Sequence, residues 1–341
     1  MKNLYRTPPE NVDSLVQQDS SRKTGVLITN LGTPDAPTAA ALRKYLAEFL
    51  SDPRVIEIPK LVWQCILHGI ILRVRPKKSA AKYQTIWTPE GSPLLAISKR
   101  QAVALQQHLG DAAKVKLAMR YGNPSIASAL REFQDEGVHK IIVLPLYPQY
   151  AGPTTGSTFD AVTRELQTWR WVPELHFINN YADHPLYIEA LANSIREHIE
   201  AKGKPQKIIF SYHGMPKRNL DLGDPYYYFC QQTTRLVREK LGLEEEKLIS
   251  SFQSRFGYAE WLQPYTDATL QQLAKEGVEH VAIVSPAFSA DCLETLEELA
   301  EENRDIFLAA GGKTYDYIAA LNDRDDHIAA LGAIIHQHLR D

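Results

Sequence analysis

The chain has 341 residues, more than one domain usually contains, and this length predicts two domains. Hydrophobic residues make up 44% and charged residues 23% of the sequence, which is typical of globular proteins and excludes disordered and collagen-like chains. The 38 Lys and Arg residues against 41 Asp and Glu give a net charge of -3, so the overall charge offers no support for nucleic-acid binding.

The cysteines, the N-terminal residues and the length of the apolar runs together indicate the cellular compartment. Cys65, Cys230 and Cys292 are widely spaced and form no CxxC pair, which indicates a reducing compartment and argues against disulfides, a zinc ribbon or a four-cysteine iron–sulfur cluster. Residues 1–22 are polar and predict a flexible arm rather than a signal peptide. Because no apolar run is long enough to span a bilayer, we expect a cytoplasmic protein.

Alternating strands and helices are predicted along the chain. Helix-length segments with apolar residues at three-to-four spacing end at Gly137, Gly203 and Gly277. This order predicts an α/β fold with doubly wound parallel sheets. Short apolar runs rich in β-branched residues predict buried parallel strands at residues 25–32, 114–121, 139–147, 206–214, 247–254 and 279–288.

An internal repeat divides the sequence into two similar halves. EGVHKIIVLP (136–145) resembles EGVEHVAIVSP (276–286), and NLGTP (30–34) resembles YHGMP (212–216). The first half has a longer excursion between its first two strands, at residues 34–113. The predicted domains are an N-terminal half at 23–180, a C-terminal half at 181–320 and a C-terminal helix at 321–341.

Part of this excursion is apolar with a basic border. Ten of the fourteen residues at 61–74 are apolar, and they are flanked by Lys60, Arg73, Arg75, Lys77 and Lys78. Such a segment fits contact with lipid headgroups or the rim of a pocket for an apolar, anionic ligand. A buried core helix with a solvated basic end fits the same pattern.

His213 is the leading candidate for chemistry. It ends a predicted strand in IIFSYHGMP, and ligands of open α/β sheets bind at the carboxyl ends of the strands. An imidazole there can transfer a proton near neutral pH or bind a metal. A histidine that only satisfies local hydrogen bonds fits the same position.

Three carboxylates follow another strand end. Glu294, Glu298 and Glu302 recur every four residues, so a helix places them on one face, where like charges repel. Such a face can pass protons or hydrated cations, although a solvated acidic surface has the same composition. Further strand ends carry residues that suit a flat aromatic anion together but fit ordinary packing singly: Arg120, Tyr121, Tyr147, Tyr150, Thr155, Ser157, Gln253, Ser254, Arg255 and Trp261.

Seven segments together resemble ferrochelatases of the bacterial protoporphyrin type, over about residues 22–320. The segments are NLGTPDAPT, YLAEFLSDPRVIEIP, YGNPSIASAL, LPLYPQYAGPTTGS, SYHGMPKRNLDLGDPYYY, FQSRFGYAEWLQPYTD and SPAFSADCLETLEEL. The resemblance implies a chelatase-like fold of two Rossmann-like halves, each with a parallel four-stranded sheet, and a central cleft. It also implies a lyase that inserts ferrous iron into protoporphyrin IX to form protoheme, the last step of heme biosynthesis. Beyond Fe²⁺ as substrate no cofactor is expected, and a [2Fe–2S] cluster is not.

Residue roles are implied by the same resemblance. His213 and Glu294 are the catalytic and metal-contacting pair, and Glu298 and Glu302 form a path for protons or metal. We interpret His213 as the acceptor of pyrrole protons and expect it to face Glu294 across the porphyrin from the opposite half, while a role as first iron ligand stays open. The implied porphyrin-binding residues are Arg75, Lys78, Tyr83, Arg120, Tyr121, Trp261, Phe288 and Asp291.

The resemblance also implies that residues 61–74 form an active-site lip that touches substrate and the inner face of the cytoplasmic membrane. No nucleic-acid partner is expected. The alternatives are a chelatase for coproporphyrin or another tetrapyrrole, and a two-lobed tetrapyrrole-binding protein without enzymatic activity. A nucleotide enzyme is disfavoured because no GxGxxG motif follows a predicted strand.

Overall fold

The computed structural model describes residues 5–6, 23–257 and 259–339. The predicted N-terminal arm lies outside the described residues except for Tyr5 and Arg6. The described chain forms two compact units. The N-terminal unit comprises the described parts of Met1–Leu146, Gly152–Asn179 and Leu331–Asp341, and the C-terminal unit comprises Tyr147–Ala151 and the described parts of Asn180–Ala330.

Each unit contains one parallel four-stranded sheet. The strand order is β2-β1-β3-β4 in the N-terminal unit and β6-β5-β7-β8 in the C-terminal unit, so the two sheets have the same topology. This repetition confirms the α/β fold with two similar halves. The strands are β1 (Thr24–Gly32), β2 (Lys114–Tyr121), β3 (Lys140–Pro145), β4 (Glu174–Phe177), β5 (Lys207–His213), β6 (Leu248–Gln253), β7 (His280–Val284) and β8 (Thr314–Tyr317).

Helices connect the strands as the apolar spacing predicts. The α-helices are α1 (Ala39–Phe49), α2 (Lys60–Ile66), α3 (Leu72–Ile86), α4 (Pro93–Leu109), α5 (Ile126–Asp135), α6 (Ser157–Leu166), α7 (Pro185–Lys202), α8 (Lys217–Asp221), α9 (Tyr226–Leu241), α10 (Thr266–Lys275), α11 (Asn303–Ala309) and α12 (Asp325–His336). In the described parts of the chain, three segments are π-helices, which have wider turns: π1 (Leu67–Ile71), π2 (Gly152–Gly156) and π3 (Glu294–Glu302).

The sequence repeat corresponds to a repeated helix end. After α5, the Val138 N–H donates to the Phe133 carbonyl at 3.0 Å, and after α10 the Val278 N–H donates to the Leu273 carbonyl at the same distance. The glycine before each valine has a positive φ, as this kind of helix cap requires. The glycine-stop predictions are therefore confirmed at both positions.

The six predicted strands are confirmed, but β4 and β8 were not predicted. Each has only four residues and lies at the edge of its sheet, with partly exposed side chains. Their sequences, ELHF and TYDY, lack the continuous apolar run that identified the buried strands.

Two glycines lie at equivalent strand ends and allow a close approach of the backbone. Gly32 ends β1 with φ +111°, and a Cβ atom there would lie 1.8 Å from the Tyr121 carbonyl oxygen on β2. Gly214 follows β5, and its Cβ would lie 2.5 Å from the Gln253 carbonyl oxygen on β6. These contacts explain why NLGTP and YHGMP both carry glycine directly after a strand.

We expect Gly32→Ala to lower the free energy of unfolding by roughly 3 kcal/mol or more, since both the contact and the φ angle exclude a side chain. Gly69→Ala is the matched control, because Gly69 is helical and its Cβ would have open space. It should leave stability unchanged or raise it by up to about 1 kcal/mol. Urea unfolding followed by circular dichroism measures both, and a wild-type midpoint for Gly32→Ala would contradict the close approach.

Candidate active site

His213 is the last residue of β5, paired in register with Gln253, the last residue of β6. Its Nδ1 lies 2.7 Å from the Gly214 carbonyl oxygen. Because a carbonyl only accepts hydrogen bonds, Nδ1 carries the proton, and the neutral ring has its lone pair on Nε2. The Phe288 ring centroid lies 6.4 Å from that of the imidazole. His213 can therefore accept a proton or bind a metal through Nε2.

Trp261 packs against the backbone beside His213. Its indole N–H donates to the Phe256 carbonyl at 3.0 Å, and the residue is buried. The ring edge would lie 3.1 Å from a Cβ at Gly214, and the Gly214 N–H donates to the Gln253 carbonyl at 2.8 Å. The glycine thus lets a strand end and an aromatic ring meet at the residue that follows His213.

The predicted acidic helix is present, but it is a π-helix. In π3 the backbone hydrogen bonds join residues five apart, and such wide turns are frequently found at functional sites. Glu294 and Glu298 are partly buried, while Glu302, at the end of π3, is exposed. The three carboxyl groups thus extend from the strand end towards solvent.

Glu298 is held by the end of β6. The Ser254 N–H donates to Glu298 Oε1 at 2.8 Å, and the Ser254 hydroxyl donates to Oε2. Burial raises the pKa of Glu298, and the nearby Glu294 carboxylate adds to this effect, whereas the hydrogen bonds from Ser254 and an electrostatic interaction with His213 oppose it. This carboxyl group can therefore hold a proton at a higher pH than an ordinary glutamic acid.

Ser254 makes these hydrogen bonds from a strained backbone. Its φ of 64° lies in the left-handed region, which costs on the order of 1–3 kcal/mol for a residue other than glycine. The sequence identified Ser254 and Gln253 only as strand-end residues. No pattern predicted that they would bind Glu298.

Asp291 is engaged inside the C-terminal unit. Its carboxylate accepts hydrogen bonds from the Tyr317 hydroxyl at 2.5 Å, the Thr295 hydroxyl at 3.0 Å, the Asn322 side chain at 2.7 Å and the Ala320 N–H at 3.2 Å. Both carboxylate oxygens are thus used to anchor the start of π3. A direct contact of this group with porphyrin, which the resemblance implied, has no support in this geometry.

Arg120 and Tyr121 belong to a buried network in the N-terminal unit. Arg120 Nη2 donates to Asp52 at 2.5 Å, and its Nε donates to the Ser157 hydroxyl at 2.6 Å. The Tyr121 hydroxyl donates to Asp52 at 2.9 Å. Burial raises the pKa of Tyr121 well above its usual value, so the phenol stays protonated. These polar groups are largely used within the network.

Half of the ten apolar positions at 61–74 are exposed, three are partly buried and two are buried. Leu61 is 85% exposed, and Val62, Ile70 and Val74 are each more than half exposed, whereas Leu67 is buried. This exposure excludes the core-helix interpretation. No helix in the described parts of the chain is long and apolar enough to cross a membrane.

The remaining predicted residues also lie in the N-terminal unit, on α3. Arg75 and Lys78 are exposed. Tyr83 is buried, with its ring centroid 6.2 Å from that of Trp87. The predicted substrate residues are therefore divided among both units, with the N-terminal ones on α3 and at the end of β2.

The structure brings His213, Glu294 and Glu298 into one unit. The expectation that imidazole and carboxylate come from opposite halves is wrong, because β5 and π3 both belong to the C-terminal unit. Among residues 5–6, 23–257 and 259–339, no three His, Cys, Asp or Glu side chains are grouped so that they could hold a metal ion.

Solved structures define the class of fold as that of the chelatases. SirB from Bacillus subtilis with Fe³⁺ superposes with a TM-score of 0.56 at 12% identity, covering 93% of this chain and 96% of that one. CbiX, described as the terminal enzyme for siroheme biosynthesis in denitrifying bacteria, gives a TM-score of 0.50 at 12% identity, covering 92% and 98%. At such identities the likeness shows the fold alone.

Sequence comparison then identifies the family. The ferrochelatase family pattern matches residues 23–339. Ferrochelatase 2 of Shewanella oneidensis is 63% identical over 320 residues, covering 93% of this chain and 98% of its own. The ferrochelatase of Alcanivorax borkumensis is 53% identical over 335 residues, with 97% of each chain covered. The chain belongs to the ferrochelatase family. Ferrochelatases are lyases of heme biosynthesis that insert iron into porphyrin, so the predicted activity is confirmed at this level.

The Asp291 network also contains a buried histidine that predicts a pH dependence of stability. His327 Nδ1 lies 2.7 Å from the Asn322 carbonyl oxygen, and burial lowers the pKa of His327 to about 4. As pH falls below about 6.5, the unfolded chain binds a proton at this ring that the folded protein binds only near pH 4. The ring therefore destabilises the fold progressively across this window, by on the order of 3 kcal/mol at its lower end.

Replacing this histidine should flatten that dependence. His327→Gln is expected to be less stable than wild type at pH 7 but to lose stability less steeply from pH 6.5 to 4. Urea unfolding at several pH values gives the two slopes. Parallel curves for variant and wild type would show that His327 protonates equally in both states.

Proposed function

We propose that this ferrochelatase inserts Fe²⁺ into protoporphyrin IX to form protoheme, and that His213 accepts the pyrrole protons. Each free-base porphyrin has two pyrrole N–H groups, so binding of one Fe²⁺ releases two protons. The observation that carries the proposal is the hydrogen bond of His213 Nδ1 to Gly214, which leaves the basic lone pair on Nε2. A neutral imidazole fixed in this tautomer is suited to act as a base near neutral pH.

In this proposal the carboxyl groups of π3 carry protons away and guide iron. Glu294 is the first residue of π3, and electrostatic interactions link Glu298 to both His213 and Glu294. The raised pKa of Glu298, caused mainly by burial, lets it take up a proton before passing it towards exposed Glu302. Carboxylate and imidazole both suit Fe²⁺, so Glu294 and His213 are also the proposed points of contact for the incoming metal.

Substrate anchoring is proposed for the aromatic and basic residues. Partly exposed Phe288 offers apolar surface close to His213, and buried Trp261 supports the same place by packing against Gly214. Exposed Arg75 and Lys78 are suited to pair with propionate groups. The others act less directly: Tyr83 supports α3 by packing, Arg120 and Tyr121 act through their network with Asp52, and Asp291 holds the start of π3.

We further propose peripheral contact of a cytoplasmic enzyme with the membrane through residues 61–74, and no cofactor besides the iron substrate. Exposed apolar side chains beside cationic ones are the combination that binds anionic lipid surfaces. The three cysteines are unpaired, with Cys230 and Cys292 buried and Cys65 exposed, which offers no support for a cluster.

The proposed base is tested with His213→Ala. We expect at least roughly 10²-fold slower insertion of Fe²⁺ into protoporphyrin IX, since a positioned base contributes about that much. The measurement is an anaerobic absorbance assay, with His176→Ala as control because that imidazole pairs with Glu174 in the N-terminal unit. Unchanged insertion by His213→Ala would refute the proposal. Faster turnover of coproporphyrin III than of protoporphyrin IX by wild type would refute the proposed substrate.

The membrane proposal is tested on the lip segment. Replacing both Leu61 and Val62 with serine should reduce binding to vesicles containing anionic lipid by roughly tenfold, because two exposed apolar side chains are lost. Val103→Ser is the control, since Val103 is similarly exposed but lies on α4. Vesicle co-sedimentation measures binding, and equal binding by all three proteins would contradict the proposed contact.

A further inference from the structure

The turn after β6 combines strain with a specific hydrogen-bond pattern. Ser254 and Asn322 are the residues other than glycine that have positive φ in the described parts of the chain. Asn322 is a residue type that adopts this conformation readily, whereas serine is not. The left-handed backbone at Ser254 therefore needs an explanation in its surroundings.

This conformation directs two hydrogen-bond donors of Ser254 towards Glu298. The backbone N–H and the hydroxyl of Ser254 each donate to a different oxygen of the same carboxylate. One residue thus holds both oxygens of Glu298 and restrains the rotation of the carboxyl group. A charged acceptor with two donors is among the stronger hydrogen-bonded pairs in proteins.

The residue before Ser254 is fixed independently. Gln253 is buried, and its Oε1 accepts from the Ser211 hydroxyl at 2.7 Å, which orients its amide. Its Nε2 then donates to the Glu294 carbonyl at 3.1 Å and lies 3.5 Å from Glu298 Oε2. The residue before Ser254 therefore has a fixed side chain, and this side chain also binds the backbone of π3.

We propose that Ser254 is a positioning residue for iron insertion: it fixes the Glu298 carboxyl group relative to His213 and Glu294, and its backbone is held left-handed for this purpose. Ser254 acts through Glu298 and not on the porphyrin or iron. The inference rests on the proposed role of Glu298 in moving protons or metal.

The test begins with Ser254→Gly. Glycine adopts this φ without strain and keeps the N–H donor, so the variant removes only the hydroxyl contact. We expect kcat to fall roughly tenfold, with KM for porphyrin unchanged and thermal stability equal to or higher than that of wild type. The control is Ser250→Ala, since Ser250 lies nearby on β6 but its hydroxyl donates to Gln231. This control should keep the wild-type kcat.

A double-mutant cycle separates positioning from a direct role. If Ser254 acts through Glu298, then Ser254→Gly combined with Glu298→Gln should have the same kcat as Glu298→Gln alone. Multiplicative losses in the double variant, or a wild-type kcat for Ser254→Gly when Glu298→Gln is impaired, would overturn the positioning role and leave the proposed function intact. Wild-type activity of Glu298→Gln would instead refute the proposed role of Glu298, and the inference would fail with it.

Discussion

The parallel pairing of β5 with β6 is the contact on which the candidate site depends. It places His213 opposite Gln253 at the carboxyl end of the sheet, where ligands of open α/β folds bind. The pairing extends beyond the strands only because Gly214 has no side chain, so that its N–H reaches the Gln253 carbonyl. The imidazole and the donors that hold Glu298 therefore come from adjacent positions on one rigid edge.

Each unit contains a carboxyl group whose pKa is shifted, and the two shifts have opposite directions. Burial alone would raise the pKa of both Asp52 and Glu298. At Asp52 the hydrogen bonds, above all from Ser157, and the Arg120 charge outweigh burial and hold the pKa below its usual range. At Glu298 burial prevails and the pKa is raised. The carboxylate of the N-terminal unit is therefore charged at neutral pH and structural, whereas that of the C-terminal unit is suited to exchange a proton.

The sequence was sufficient for features that depend on local pattern. Continuous apolar runs identified the buried strands, and the strand ends led to His213 and to the start of π3. The edge strands β4 and β8 could not be predicted, because four partly exposed residues carry too little hydrophobic periodicity. The role of Asp291 could not be predicted, because its partners Tyr317 and Asn322 are distant in sequence and meet it only in the folded unit.

The start of π3 is fixed from two directions, and this explains how its carboxyl groups can differ in behaviour. Asp291 ties the segment before Glu294 to the loop after β8, while Gln253 binds the Glu294 carbonyl from β6. Glu298 is then held through its carboxyl group, and Glu302 lies exposed at the far end. Exposure thus increases along π3, from the partly buried Glu294 and Glu298 to the exposed Glu302. In the proposed mechanism, this gradient places a well-ordered acid next to the imidazole and a solvated one where protons leave or hydrated iron arrives.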